Sequence, residues 1–402
     1  MTLNKKVINR VLLCTSPIQA INARVAMDEI KINYINYKDY ILIIHPLLLA
    51  NTKKTIYELG KSLSYDGVYD LADQLEIIKS NMEKRIDFYK KRHFKIKNLI
   101  KSNIGEVDEI YSRINYSKYE VLVARCISGK QKYYGIEDGI GDYKPKFWNF
   151  VNRDERKTII RKIPGKTFRL ITNLLFLIYV NIVYKYKKDG VFFSKPWGYS
   201  FDKCFSNLKL SDRNCVGSSF KTAITKLYTE KPIYKKRRVI IFGSILFNIY
   251  EKLDPSSNLV SDDRPSGHFK GNIPNLTIMK RLVIIYNDLI SEIISKHNVN
   301  QSEIWYKHHP RLPKDFWAYF EKHLNCEIFS YNNNQPAEIE LNNRYLKAVY
   351  SVGSSALLYA KTIFNIDSYF IDMRNEKILL KPFHSERDYN IFKKYDVKIV
   401  KV

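Results

Sequence analysis

The chain has 402 residues, of which 45% are hydrophobic, and 67 Lys and Arg against 41 Asp and Glu leave a net charge of +26. This length is too great for one ordinary core, so two domains are expected, and the hydrophobic fraction excludes a disordered chain. The charge predicts a polyanionic partner, which could be nucleic acid, an anionic membrane, or an acidic polymer or nucleotide.

The cysteines exclude two classes of small stabilised fold. The five of them form no Cys-x-x-Cys pair, so neither a disulfide framework nor a zinc site is predicted, and a reducing cytoplasm fits this usage. The apolar run 11–13 near the start is too short for the core of a signal peptide.

The first half of the chain alternates strand and helix patterns. Val7 to Cys14 predicts a strand, after which Ser16 can cap a helix that has Pro17 at its first position and runs from Ile18 towards Ile30. Further along, the pattern predicts strands at 40–45, 119–124 and 132–136, with helical stretches between 46 and about 102.

Two adjacent acids follow the strand at 132–136. Glu137 and Asp138 stand at its carboxyl end, and Gly139 and Gly141 allow the backbone to turn sharply after them. In an open parallel sheet this end faces the ligand crevice, and neighbouring carboxylates raise one another's pKa, which suits a general base. The alternative is an Asp-Gly turn that carries two solvated acids.

Basic and aromatic residues are interleaved between 84 and 101. The basic side chains could track a polyanion, or they could simply form a solvated helix face. The candidates for binding an acidic acceptor are Lys84, Arg85, Lys91, Arg92 and Lys95.

A second basic stretch, 156–169, precedes the apolar segment 170–184. At about 15 residues this segment is shorter than the roughly 20 that a spanning helix needs. It could lie on an anionic membrane surface or form a buried core helix, and the sequence does not favour either reading.

Residues 189–238 are predicted to be irregular, and they end in the basic run 235–238. The domain boundary is therefore placed there, with domains 1–235 and 236–402. The strand pattern then restarts at 239–242 and leads into Gly243 and Ser244, a turn that could approach a phosphate.

The second half continues with one clear helix and three strands. Residues 276–296 predict an amphipathic helix with Leu282, Ile285, Leu289 and Ile293 on its apolar face. Strands are predicted at 303–307, 346–351 and 368–373. An alternating order of strands and helices in each half predicts an α/β fold with two parallel-sheet domains that face each other across a cleft.

Two of these strands end in polar sets. The first leads into His309, Pro310 and Arg311, where an imidazole could donate to an anionic leaving group and a guanidinium suits phosphate. The alternatives are a turn histidine pair, His308 included, or a metal site, which the scarcity of other His and Cys clusters disfavours. The second leads into Ser354 and Ser355, which could bind an anion or simply cap a helix.

Together, Glu137-Asp138-Gly139, His309-Pro310 and Ser354-Ser355 resemble the three signatures of bacterial sialyltransferases with the two-domain GT-B architecture. The opening 14–19 is similar to the first strand and turn of that group. The Glu-Asp pair and the length are most similar to the capsule polysialyltransferases of glycosyltransferase family 38. The lipooligosaccharide sialyltransferases of family 52 are the nearest alternative.

The resemblance implies a reaction and roles for these residues. CMP-sialic acid would be the donor, and the anomeric centre would be inverted without a cofactor or a metal ion. Glu137 would remove the proton of the acceptor hydroxyl with Asp138 orienting it, although related families place the base on the second acid. His309, followed by Pro310, would stabilise the departing phosphate. Ser354 and Ser355 would hold that phosphate, and Gly243 and Ser244 would line the nucleotide pocket.

The resemblance also gives the charge a use, because polysialic acid carries one carboxylate per sugar and capsule polymers are built at the inner membrane. The expected partners are an oligosialyl or polysialyl acceptor and the anionic membrane surface or the capsule export machinery. A cytoplasmic protein bound peripherally to the inner membrane is expected. A nucleic-acid partner is disfavoured, because no recognised binding module occurs and acids at 137 and 138 would repel phosphates. A basic peripheral membrane protein without catalysis is the remaining alternative.

Overall fold

The fold was analysed in a computed structural model of the chain. The residues that the structure describes are 7–33, 35–45, 48, 50–71, 94–113, 118–127, 131–136, 188–193, 213–215, 217–228, 235–244, 250–252, 272–274, 276–309, 314–329, 335–373, 375–376 and 386–402. Contacts between residues divide the chain into two compact units, which consist of Met1–Pro46 with Ile56–Phe220 and of Leu47–Thr55 with Lys221–Val402.

The first unit is built on a parallel sheet. Its elements in chain order are β1 (Val7–Cys14), α1 (Pro17–Glu29), β2 (Asn36–Ile43), α2 (Ala50–Ser62), β3 (Gly67–Asp70), β4 (Glu109–Arg113), α3 (Lys118–Cys126), β5 (Lys132–Ile136), β6 (Lys188–Phe193), β7 (Arg213–Cys215) and α4 (Gly217–Leu227). Residues 94–103 are also helical. The division between the units falls within α2 and α4.

The described strands of this sheet lie in the order β3-β2-β1-β4-β5-β6-β7, and every neighbouring pair is parallel. The strand β1 lies inside the sheet between β2 and β4, and its last five residues are buried, as in a parallel sheet whose two faces are both covered. The strand β5 ends at Ile136, immediately before the predicted acids.

The second unit has a sheet of its own. Its elements are β8 (Val239–Phe242), β9 (Tyr250–Lys252), β10 (Asn272–Pro274), α5 (Leu276–His297), a 3-10 helix (Gln301–Glu303), β11 (Ile304–Lys307), α6 (Lys314–His323), β12 (Glu327–Ile328), a 3-10 helix (Ala337–Asn342), β13 (Ala348–Ser351), α7 (Ala356–Thr362), β14 (Asp367–Asp372), α8 (Glu386–Lys394) and β15 (Lys398–Lys401). Among the described residues the strand order is β12-β11-β8-β13-β14-β15, all parallel, and β9 and β10 form a separate antiparallel pair.

The helix α5 packs against this second sheet as its sequence predicts. The four apolar residues predicted for one face, Leu282, Ile285, Leu289 and Ile293, are at most 4% exposed. They join a core that includes strand residues from β8, β11 and β13. Spacing of three and four residues places these side chains on one stripe, and burial of that stripe holds the helix on the sheet.

The prediction of an α/β fold with two parallel-sheet domains is confirmed. The predicted strands at 7–14, 132–136 and 239–242 have the predicted bounds, and those predicted at 303–307, 346–351 and 368–373 agree within two residues. The strands β9, β10, β12 and β15 were not predicted. The strand predicted at 40–45 overlaps β2, which begins four residues earlier. The prediction that the two domains face each other across a cleft stays a prediction.

One predicted strand is wrong. Residues 119–124 lie in the helix α3, in which Tyr119, Glu120, Val123 and Ala124 are buried. Positions 119 and 123, and likewise 120 and 124, are four residues apart, so these side chains lie on one face of the helix. A short apolar run fits both a buried strand and a buried helix turn, and the strand of this region is instead β4, whose residues are more polar.

The prediction of an irregular segment at 189–238 is also wrong in part. It contains β6, β7 and α4, so the first sheet extends two strands beyond β5. These short strands were not predicted because turn residues such as Gly190 are typical of irregular segments. The division between units falls at 220–221 within α4, whereas the sequence prediction placed it near 235.

The described helices also bear on the membrane question. In the described part of the chain, none of them combines the length and the apolar character needed to cross a membrane. The segment 170–184, which is predicted to be either a membrane-surface helix or a buried core helix, lies outside the described residues.

A buried ion cluster ties β1 to β2 and α1. Arg10 faces Asp39 in the ladder and pairs with both carboxylate oxygens, at 2.6 and 2.8 Å, and it also donates to the carbonyl of Met27. Arg24 contacts the same carboxylate at 2.8 Å. Burial lowers the pKa of Arg10, but the hydrogen bond and the charge of Asp39 outweigh this effect and leave the pKa raised. One carboxylate thus compensates two buried cations.

We expect the Asp39→Asn variant to be destabilised by about 3–5 kcal/mol, because it leaves the buried guanidinium of Arg10 without its paired carboxylate and leaves Arg24 with the largely exposed Asp28. Urea denaturation measures this loss. The matched control is Asp28→Asn, which removes a largely exposed partner of Arg24 and should cost less than about 1 kcal/mol. Equal losses in the two variants would contradict a structural role for the buried pair.

Candidate active site

Three neighbouring strands of the second sheet end at the same level. In the ladders Phe242 of β8 pairs with Lys307 of β11 on one side and with Ser351 of β13 on the other. The residues that follow are therefore brought to one edge of the sheet. Adjacent strands lie about 4.8 Å apart, so the ends of β11 and β13 are separated by roughly 10 Å with β8 between them. This is the carboxyl edge, where open parallel sheets bind ligands.

The predicted residues of the second unit meet at this edge. Gly243 and Ser244 follow β8, His309 follows β11, and Ser354 and Ser355 follow β13. Ser244 is buried, whereas His309 and the two serines are half-buried. The structure thus brings together residues that are more than 100 positions apart in the chain, while their roles stay predictions.

Gly243 fixes the backbone beside His309. Its amide donates to the carbonyl of Lys307 at 2.8 Å, which extends the ladder by one bond. A Cβ at this position would lie 2.7 Å from the hydroxyl of Tyr306 and 3.1 Å from the amide of His309. Because only glycine permits this approach, the turn after β8 and the turn after β11 are held in contact.

Ser351, which the sequence analysis does not identify, links β13 to β8 on the other side of the site. Its buried hydroxyl donates to the carbonyl of Phe242 at 2.9 Å, and its oxygen accepts from the amides of Gly353 and Ser354 at 3.4 and 3.2 Å. A serine in a buried strand would have been the available signal, because its hydroxyl requires partners when water is excluded.

The two adjacent serines make different bonds. The oxygen of Ser354 accepts from the amide of Ala356 at 3.2 Å, as in a helix cap. The hydroxyl of Ser355 donates instead to Glu338 at 3.1 Å. Glu338 belongs to the 3-10 helix of residues 337–342 and is 5% exposed, so its carboxylate is a buried part of the site.

Buried charges surround Lys307, the last residue of β11. Glu340 pairs with Arg237 at 2.8 Å and with the ammonium of Lys307 at 3.7 Å, and all three are at most 2% exposed. Burial lowers the pKa of Lys307, and the charges of Glu340 and Glu338 oppose that effect. Sequence reasoning missed this cluster, because charged residues in a basic run and an acidic helix are ordinarily exposed.

His308, the neighbour of the predicted catalytic histidine, has a separate environment. Its ring is 1% exposed and stacks on Trp317 with ring centroids 5.0 Å apart. Neither ring nitrogen has a hydrogen-bond partner within the described residues. Burial, reinforced by the charge of Lys307, lowers the pKa of His308 from 6.5 to about 3. The ring of His308 is therefore neutral and belongs to the core. Of the two adjacent histidines, only His309 lies at the polar edge of the sheet.

Several predicted site residues lie outside the described residues. They include the acids Glu137 and Asp138, Pro310 after the histidine, and four of the five predicted acceptor-binding residues, Lys84, Arg85, Lys91 and Arg92. The fifth, Lys95, is exposed on the helical segment 94–103. Within the described ranges, no group of three His, Cys, Asp or Glu side chains could hold a metal ion. A metal-independent reaction stays a prediction.

We expect His308→Phe to change the stability at neutral pH by less than about 1.5 kcal/mol, because the ring is of similar size and no hydrogen bond is lost. The folded chain keeps His308 neutral down to about pH 3, whereas the unfolded chain protonates it near 6.5. Wild-type stability should therefore fall as the pH drops through this window, and the variant should fall less.

Urea denaturation at several pH values between about 7 and 4 measures this difference. The control is His323→Phe, which replaces an exposed ring at the end of α6 and should leave the pH dependence of the wild type unchanged. Parallel pH profiles of the wild type and His308→Phe would show that His308 is not buried as a neutral ring.

One family model matches part of this unit. Residues 279–372 match the family model described as alpha-2,8-polysialyltransferase. The matched segment contains His309, Glu338, Ser354 and Ser355, and therefore two of the three strand ends of the site. None of the curated proteins matches the chain.

Solved structures with a similar chain trace show low identity. UDP-GlcNAc 2-epimerase from Neisseria meningitidis, bound to UDP-GlcNAc, has a TM-score of 0.48 at 12% identity and covers 98% of this chain and 95% of its own. The sialyltransferase from Photobacterium damsela has a TM-score of 0.46 at 11% identity, with coverage of 98% and 81%. With TM-scores below 0.5 these likenesses carry no argument about activity, and the family match alone supports a relationship to the sialyltransferases.

Proposed function

We propose that this protein is an inverting sialyltransferase that transfers sialic acid from CMP-sialic acid to the non-reducing end of a sialylated acceptor and elongates polysialic acid. The observation that supports it most is the overlap of two independent facts. The segment that matches the polysialyltransferase model is also the segment that carries His309, Ser354 and Ser355 to one edge of one parallel sheet.

The proposed chemistry has one displacement step. A carboxylate, Glu137 with Asp138 orienting it, accepts the proton of the acceptor hydroxyl as the oxygen attacks the anomeric carbon. The new bond forms between that oxygen and the carbon while the bond from the carbon to the CMP phosphate oxygen breaks, so the configuration inverts. His309 donates to the departing phosphate, and serine hydroxyls at the end of β13 hold it.

The environment of the site supports these roles. Glu340 pairs with both buried cations, Arg237 and Lys307, and the charge of Glu338 also acts on Lys307. Two carboxylates thus oppose two cations, so this cluster offers little net positive charge to a ligand. The charge of a phosphate would then have to be met by groups at the edge itself, such as His309, hydroxyls and backbone amides. Gly243 and Ser244 would line the nucleotide pocket at the middle strand.

The basic composition supports a polyanionic acceptor. On the helical segment 94–103, Ile96 and Ile100 are buried, while Lys95, Lys97 and Lys101 are exposed. With the predicted residues 84–92 this would form a surface for the carboxylates of a growing chain. The same charge would bring a cytoplasmic enzyme to the anionic face of the inner membrane or to the capsule export machinery.

A second candidate keeps the donor and changes the product. The enzyme would then add one sialic acid to lipooligosaccharide, or it would be another capsule glycosyltransferase. The length of the product formed on a fluorescent trisialyl acceptor distinguishes these candidates, because a polymerase gives a ladder of longer chains and a single-addition enzyme gives one new peak.

We expect the wild type to release CMP and lengthen an oligosialyl acceptor when it is supplied with CMP-sialic acid, as measured by chromatography. Glu137→Gln and His309→Ala should each lower kcat by about 10²-fold or more, because each removes a proton-transfer or charge-stabilising group. The buried neighbour provides the control, since His308→Phe should keep most of the activity. Absence of transfer to every sialylated acceptor would contradict the proposed function.

Elongation of long acceptors should weaken as ionic strength rises from about 0.05 to 0.5 M, since salt screens charges that lie more than a Debye length apart. The triple variant Lys95→Gln, Lys97→Gln, Lys101→Gln should lower the affinity for long acceptors and reduce this salt dependence. The matched control removes three exposed lysines elsewhere, Lys280, Lys322 and Lys393, each changed to Gln. Equal effects of the two triple variants would show that net charge, and not this helix face, attracts the acceptor.

A further inference from the structure

The end of β13 and the turn that leads to α7 contain three serines, Ser351, Ser354 and Ser355, whose hydroxyls are not equivalent. A serine hydroxyl has one proton to donate and two lone pairs that accept. The proton of Ser351 goes to the carbonyl of Phe242 at 2.9 Å. The proton of Ser355 goes to the carboxylate of Glu338 at 3.1 Å, which can only accept while it is ionised.

Ser354 is different. Its oxygen accepts from the amide of Ala356 at 3.2 Å, and its own proton has no acceptor among the residues that the structure describes. The backbone of Ser354 is held from the other side, because its amide donates to the oxygen of Ser351 at 3.2 Å. Of the three hydroxyls, only that of Ser354 is therefore fixed in place with its proton still available to an incoming anion.

Glu338 is part of a larger buried assembly. It shares the 3-10 helix of residues 337–342 with Glu340, which is anchored by Arg237 at 2.8 Å and by Lys307 at 3.7 Å. The carbonyl of Ser355 accepts from the amides of Leu358 and Tyr359, so Ser355 begins α7. The bond between Glu338 and Ser355 thus connects the anchored 3-10 helix to the first turn of α7, next to Ser354.

We infer that Ser354 is the serine that donates to the phosphate of the nucleotide, and that Glu338 is a positioning residue that holds Ser355 and thereby the turn that presents Ser354. This inference rests on the proposed function, because it assumes that the anion at this edge is the phosphate of CMP. It assigns different roles to two adjacent serines that the sequence treats alike, and it gives a role to a buried acid that the proposed chemistry does not use.

The experiment measures the Kd of CMP by titration calorimetry and the KM and kcat for CMP-sialic acid. Ser354→Ala should weaken CMP binding about tenfold or more, since a hydrogen bond to a charged group is lost. Ser354→Thr keeps the hydroxyl and should retain binding, whereas Ser354→Asp keeps a cap for Ala356 without a proton to donate and should bind as poorly as the alanine variant or worse.

Coupling tests the role of Glu338. Ser355→Ala and Glu338→Ala should each raise KM, but less than Ser354→Ala does. The double variant Ser355→Ala, Glu338→Ala should have a KM no higher than the higher of the two single variants, because both substitutions remove the same hydrogen bond. Glu338→Gln keeps an acceptor oxygen and should restore binding. Ser354→Ala combined with Glu338→Ala should bind CMP more weakly than either single variant. Thermal melts confirm that each variant is folded.

Two outcomes are decisive. If Ser355→Ala loses as much affinity as Ser354→Ala while Glu338→Ala binds CMP more tightly, Ser355 is the phosphate donor and Glu338 competes for its proton, which overturns the inference. If the wild type does not bind CMP at all, the proposed function fails and the inference fails with it. Binding of CMP by the wild type with an unaffected Ser354→Ala variant overturns the inference alone.

Discussion

The alignment of three strands in one ladder is the constraint on which the candidate site depends. Because Phe242 pairs with both Lys307 and Ser351, the chain leaves β8, β11 and β13 at one level. Parallel hydrogen bonding sets this level, and a slip of one residue in one strand would move the residues that follow it out of line with those that follow the other two. The bond from Gly243 to Lys307 continues the alignment past the last ladder pair, and the hydroxyl of Ser351 adds a bond to Phe242 within its own pair. The geometry of the site is thus an extension of the geometry of the sheet.

Electrostatics divides the site into two layers. In the interior, Arg237 and Lys307 lie in a buried cluster with two carboxylates, Glu340 and Glu338, that oppose their charges. At the strand ends, half-buried groups that can donate to an anion face outward. This division has a physical reason. A buried charge is stable only when it is paired, whereas a group that binds a ligand needs a hydrogen-bond donor or acceptor that no other group of the protein occupies. The bond between Glu338 and Ser355 joins the two layers.

The paired histidines show how far residue type can be interpreted. His308 and His309 are adjacent and chemically identical, yet one is stacked on Trp317 in the core and the other lies at the sheet edge. Alternation along an extended chain sends neighbouring side chains in opposite directions, so one member of the pair had to be buried. The preference for His309 came from the resemblance of the His-Pro motif, and the structure supplies the physical reason why His308 is unsuited to the role.

The fold class, most of the strands, the amphipathic helix α5 and the strand ends that carry polar residues could all be predicted from the amino-acid sequence. These features are local, because the period of the apolar residues and the turn residues that follow them are properties of short segments. The resemblance of three short motifs named the donor and the reaction class, and the family match to residues 279–372 agrees with the sialyltransferase part of that reading.

The neighbours of each polar residue became known from the folded chain and could not be predicted from the sequence. The tertiary structure turned residues 119–124 into a helix, placed two further strands in the first sheet, and buried Arg237, Glu338 and Glu340, whose types predict exposure. It also distinguished Ser354 from Ser355 by their hydrogen bonds. These outcomes depend on contacts between segments that are distant in the chain, and the free energy of such contacts outweighs the preferences of any short stretch.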